Sequence, residues 1–152
     1  MSIVLLYKKN YEEVKRHLMV ILKAYETLKS NNLFPLDSQR VETILEDEAL
    51  LSILDQIAYR YSKLQDSLAK LIRSYLYMKG ENVENLTIID VLNKAEKFDL
   101  GITKDKWLEL RELRNMLVHE YESEKSKIAY ALNKIYPELK TFETLLERLY
   151  IG

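Results

Sequence analysis

The chain holds two histidines, His17 and His119, and at neutral pH imidazole is the side chain best suited to give and take protons. His17 follows Arg16 at the edge of an apolar stripe and reads as an ordinary surface or boundary residue. His119 keeps different company. The run Arg111-Glu112-Leu113-Arg114-Asn115-Met116-Leu117-Val118-His119-Glu120-Tyr121 sets a guanidinium, an amide, an imidazole and a phenol close together. At roughly 100° per residue, Trp107, Leu110, Arg114, Leu117 and Tyr121 share one wide helical sector, so Arg114 interrupts an apolar face. A guanidinium there keeps its proton and needs a carboxylate, a phosphate or an interface. Asn115 and His119, four apart, fall together on an adjacent sector. The combination suits phosphate chemistry: a cation for phosphoryl oxygens beside a group that moves protons. The plainer reading pairs Arg114 with a carboxylate such as Asp66 and leaves His119 as a cation favoured near a helix C-terminus.

The elements that must position these groups are helical. Val14, Leu18, Ile21, Tyr25 and Leu28 recur at three and four and predict a helix over residues 11 to 30, broken by Asn31-Asn32 and Pro35. A second helical pattern starts after Asp37 or Ser38 and runs toward Gly80 without Pro or internal Gly, with a break allowed near residues 47 to 52. Thr87 and Asp90 resemble a capping box, and Gly101 supplies a left-handed stop, predicting a third helix over about 88 to 100. Thr103 caps a fourth, which carries Trp107, Leu110, Leu113 and Leu117 and ends between Val118 and Tyr121. Ser123 starts a fifth, which Pro137 should kink or divide. The expectation is one all-α domain over residues 1–152: an antiparallel bundle of about five helices with a long central helix.

Composition supports this and removes other chemistries. Three Gly and two Pro in 152 residues, where average usage gives roughly ten and eight, leave little turn chemistry for a sandwich or barrel. Cysteine is absent, which excludes thiol nucleophiles and cysteine-bound zinc. His-Glu-x-x-His, phosphate-cradling glycine loops and Gly-x-Ser-x-Gly are also missing, so no metal or cofactor is expected. The opening MSIVLLYKKN has an apolar run too short for a signal-peptide core or a membrane span, which predicts a cytoplasmic protein with no membrane partner.

Formal net charge is -1, so a nucleic-acid partner would need a local patch. The best stretch lies in residues 56 to 80, where Arg60, Lys63, Lys70, Arg73 and Lys79 face the single acid Asp66 and alternate with Tyr59, Tyr61, Tyr75 and Tyr77. Acids concentrated at 42 to 55 make the same helix acidic at its start and basic at its end, as its dipole prefers, and charge alone favours that reading. Glu120, Glu122 and Glu124 beside the motif oppose RNA binding.

RNMLVHEY, Arg114 to Tyr121, resembles the signature of HEPN-domain proteins, specifically the HepT-like toxins: Arg, commonly Asn, three or more residues, His, one residue, Tyr. The all-helical pattern has the extent of that family's fold. Tyr59-Arg60-Tyr61-Ser62-Lys63-Leu64-Gln65-Asp66 is similar to the central helix of some members. The resemblance implies a dimeric, metal-independent endoribonuclease toxin neutralised by an MNT-type nucleotidyltransferase antitoxin. Cleaving RNA through its own 2′-hydroxyl needs a base, an acid and positive charge for the phosphoryl oxygens. One subunit offers one suitable histidine; a two-fold homodimer would bring two His119 and two Arg114 into one cleft. On this reading Arg114 and His119 are catalytic and Asn115 orients substrate or imidazole, with Asp66 and Arg73 as supporting residues. Tyr121 is an ordinary boundary residue, a base-stacking or phosphate-binding group, or, as the resemblance implies, the site at which the partner attaches AMP. The alternatives are a noncatalytic helical subunit that presents substrate to a nucleotidyltransferase, and a purely structural bundle in which Arg114 forms an internal ion pair.

Overall fold

The computed structural model describes residues 2–118 and 124–152. The described residues form six α-helices and one short 3-10 turn: α1 Ile3–Ser30, α2 Ser38–Glu46, α3 Glu48–Met78, α4 Ile88–Ala95, the turn Glu96–Phe98, α5 Lys104–Val118 and α6 Lys125–Leu149. The protein is an all-α bundle, and α3, at 31 residues, is its long central helix.

Helix boundaries follow side-chain and backbone capping. The break allowed near residues 47 to 52 occurs at Asp47, whose backbone leaves the helical path while its side chain accepts the Leu50 N–H at 3.0 Å, ending α2 and starting α3. That break makes the bundle six helices rather than five. At the end of α1, Asn32 takes a left-handed φ of 58° while Leu33 N–H returns to Leu28 C=O and Asn32 N–H to Lys29 C=O. Gly80, at φ 85°, ends α3 by the same paired bonds, Glu81 N–H to Leu76 C=O and Gly80 N–H to Tyr77 C=O. Two of the carbonyls that each of these two helix ends would orphan are thereby satisfied.

Three boundaries differ from the sequence reading. α1 begins at Ile3, eight residues before residue 11, because Tyr7 and Asn10 are buried against the end of the bundle. Val4, Leu5 and Leu6 are exposed there, so that segment lacks a one-sided apolar stripe for periodicity to detect. The predicted helix over 88 to 100 ends earlier, tightening into the 3-10 turn before Asp99 at φ 50°. Thr87 still caps it, accepting the Asp90 N–H at 3.2 Å. Pro137 does not divide α6, whose residues Leu132, Ile135, Leu139 and Phe142 are buried on both sides of it. Tertiary burial there outweighs the loss of one helical hydrogen bond. The expected start at Ser123 lies outside the described residues.

α1 packs along α3, and α6 closes the core against α1. Tyrosines stitch the layers. Tyr7, Tyr11 and Tyr25 on α1 donate to the Leu149, Leu146 and Leu132 carbonyls of α6, the latter two at 2.9 and 2.7 Å, which sets α6 antiparallel to α1. Among the described residues, no helix is long and apolar enough to cross a membrane.

Candidate functional site

α5 carries the described part of the motif, and its placement begins at Thr103. The Thr103 hydroxyl accepts the Lys106 N–H at 3.1 Å, and Thr103 C=O takes the Trp107 N–H. From this cap, Trp107, Leu110, Leu113 and Leu117 fall on one buried stripe. The stripe is pinned to α3 by Tyr61, which is fully buried and donates its phenol to Leu110 C=O at 3.0 Å. Burial, with Glu138 nearby, pushes the Tyr61 phenol well above its ordinary pKa, so it remains a donor at any physiological pH.

That register brings Arg114 to α3. Its Nη1 lies 3.9 Å from Asp66 Oδ1, with the arginine side chain 29% exposed and the aspartate 61%. The guanidinium is therefore not sealed in the core, nor is it tightly held by Asp66. An ion pair so long and so solvated contributes about 0–1 kcal/mol, and a phosphate could displace the carboxylate at little cost. Asn115 and Met116, next on the helix, are half-buried. His119 and Tyr121 lie outside the described residues; the described part of α5 ends one residue short of His119, at Val118.

From Asp66 a groove of about 360 Å³ runs between α3 and the end of α5. Asp55, Ala58, Tyr59, Ser62, Lys63 and Asp66 form one wall, and Leu117 and Val118 the other. Tyr59 is 59% exposed, with Arg60 Cζ 5.9 Å and Lys63 Nζ 5.6 Å from its ring centroid.

The structure separates the tyrosine and basic residues that sequence grouped in 56 to 80. Tyr61 is core. Tyr75 packs on Tyr7 and Phe98, with Lys79 over its ring. Arg73 lies roughly two turns beyond Asp66 along α3 and donates to Val83 C=O at 3.0 Å, tying down the loop after α3. It is not brought together with Arg114. Tyr59 and Lys63 remain at the groove, with Arg60 beside the Tyr59 ring.

One contact escaped sequence reasoning. Arg60 Nη1 lies 3.1 Å from His17 Nδ1, joining α3 to α1. Burial, and then the Arg60 charge, lowers the His17 pKa; Lys63 and Arg16 act the same way and Glu13 opposes them. His17 is thus the neutral acceptor and Arg60 the donor. The only signal available was that both residues sit at the margins of apolar stripes; pairing them required the register of α1 on α3. Among the described residues no cluster of three or more His, Asp or Glu side chains could hold a metal ion.

No family model, curated protein or solved structure matches the chain. The functional reading therefore rests on the residues themselves.

Proposed function

We propose that the protein is a metal-independent endoribonuclease toxin that works as a homodimer and is neutralised by an MNT-type nucleotidyltransferase. The observation that carries this reading is Arg114: the first residue of the Arg-Asn-x-x-x-His-x-Tyr motif stays within reach of solvent, loosely paired at 3.9 Å with Asp66, which lines a groove. A motif arginine that served only to satisfy a buried carboxylate would be shielded and closely bonded.

In the proposed reaction one His119 takes the proton from a ribose 2′-hydroxyl, whose oxygen attacks the adjacent phosphorus. The bond to the 5′-oxygen breaks, and His119 of the partner subunit protonates that leaving group. The products are a 2′,3′-cyclic phosphate and a 5′-hydroxyl, with no metal in the balance. Arg114 stabilises the charge on the phosphoryl oxygens, and Asn115 orients substrate or imidazole. AMP attached to Tyr121 would place a phosphodiester and bulk beside Arg114, blocking RNA by repulsion and occlusion.

A second reading is favoured by the same 3.9 Å contact: Arg114 and Asp66 form a structural pair only. RNA cleavage assayed with a chelator present separates the two. The nuclease reading expects cyclic-phosphate ends from the wild type and their loss in Arg114→Ala and His119→Ala, both still folded. The structural reading expects no cleavage by any form and weakened folding in Arg114→Ala alone. A noncatalytic partner of a nucleotidyltransferase would also fail to cleave, yet would form a stable complex with that enzyme.

A further inference from the structure

Two solvent-exposed tyrosines carry a lysine four residues on, placed over the ring. Tyr130 has Lys134 Nζ at 5.7 Å from its centroid, and Tyr59 has Lys63 Nζ at 5.6 Å. On a helix surface this spacing brings side chains together without any ligand. What distinguishes Tyr59 is its setting. Arg60 also approaches its ring, and Arg60 is not a free surface side chain: one N–H is committed to His17 across the α1–α3 seam at 3.1 Å. A neutral imidazole acceptor orients the guanidinium without cancelling its charge. The ring lines the groove that reaches Asp66 and Val118, beside the Arg114 end of α5.

A half-exposed aromatic face flanked by one anchored and one exposed cation matches the two parts of a nucleotide. An unpaired base stacks on a ring of any sequence context, and its phosphate takes the neighbouring charges. A duplex offers no open base face. We propose that Tyr59, Arg60 and Lys63 form a subsite for one unpaired nucleotide of a single-stranded RNA, whose chain continues along the groove toward Arg114. Tyr59 stacks on the base, and Arg60 and Lys63 hold its phosphate. That the strand is RNA rests on the nuclease reading; the subsite itself rests on the geometry above.

The test is fluorescence anisotropy of a labelled twelve-nucleotide oligouridine, at two salt concentrations, on full-length protein carrying His119→Ala so that the strand survives. Tyr59→Ala is expected to weaken binding about tenfold, and Tyr59→Phe to preserve it. Lys63→Gln is expected to reduce the salt slope by about 0.7. Tyr130→Ala and Lys134→Gln should bind as the parent does, and a duplex of equal length should compete poorly. Since Tyr59 and Lys63 are exposed, circular dichroism should report unchanged folding. Equal binding by Tyr59→Ala, an equal loss in Tyr130→Ala, effective competition by duplex, or no binding even at low salt each overturns the subsite. Tyr59-dependent binding without cleavage by the His119-containing protein would keep the subsite and remove the nuclease. Cleavage indifferent to Tyr59 would do the reverse.

Discussion

Tyr61 and Leu110 meet through a single buried hydrogen bond, phenol to carbonyl at 3.0 Å, between the central helix and the helix that bears the motif. Leu110 stands one helical turn before Arg114, so this contact sets where the guanidinium emerges relative to α3. Tyr61 also stacks edge-on against Phe142 of α6, with centroids 6.3 Å apart, and so ties three helices at one point.

Tyr61→Phe should keep the ring packing and lose the hydrogen bond, costing about 0.5–1.5 kcal/mol in denaturant unfolding. Tyr61→Ala should cost about 3–5 kcal/mol, because it also opens a cavity where α3, α5 and α6 meet. Equal losses in the two variants would show that the hydrogen bond, not the packing, holds α5.

Asp66→Asn should change stability by less than about 1 kcal/mol, since the ion pair it removes is long and solvated. On the proposed nuclease reading, RNA cleavage in the same variant should persist or rise, because Arg114 loses a competing anion. Arg114→Ala should lower the cleavage rate by about 10²–10³ with a comparably small stability change. A large loss of stability in either variant would assign the pair to the scaffold.

The His17 pKa lies below its ordinary value when folded, through burial first and the Arg60 charge second. The unfolded chain therefore binds the proton more readily, and stability that is complete above the ordinary histidine pKa declines as pH falls below it, levelling off beneath the folded pKa. The facing groups are Arg60 and Lys63 on α3 and Arg16 and Glu13 on α1. Melting temperatures at pH 7.5 and 5.0 should differ less in His17→Gln than in the wild type. An identical acid-induced drop would mean that His17 carries none of it.

Asp47 ends one helix and caps the next, so its side chain contributes without packing in the core. Asp47→Ala should cost about 1 kcal/mol, and Asp47→Asn or Asp47→Ser much less. Thermal unfolding of the three variants checks the order.

Much of the scaffold was legible because local rules wrote it. Asp47, Thr87, Thr103, Asn32 and Gly80 mark helix ends by short-range hydrogen bonding or by a backbone angle few residues accept, and such signals need only a few neighbouring residues. Spacings of three and four revealed the buried stripes of α3 and α5 for the same reason. The first turns of α1 were hidden, since Val4 to Leu6 face solvent, and their helix forms through contacts of Tyr7 and Asn10 with distant segments. At Pro137 local chemistry predicted a kink or a division, and burial on both sides keeps α6 undivided.

From its residues alone the chain determined a helical bundle and a helix that carries Arg114 and Asn115 toward its end, and it allowed a break near residues 47 to 52. Only the folded arrangement decided that Tyr61 is core while Tyr59 is surface, that Arg73 serves a loop, that Asp66 stands near Arg114 and that His17 receives Arg60. The division has one physical cause. Capping and periodicity act within a few residues, whereas these pairings join positions ten or more residues apart in the chain and depend on how the helices and the loop after α3 settle against one another as apolar surface leaves water.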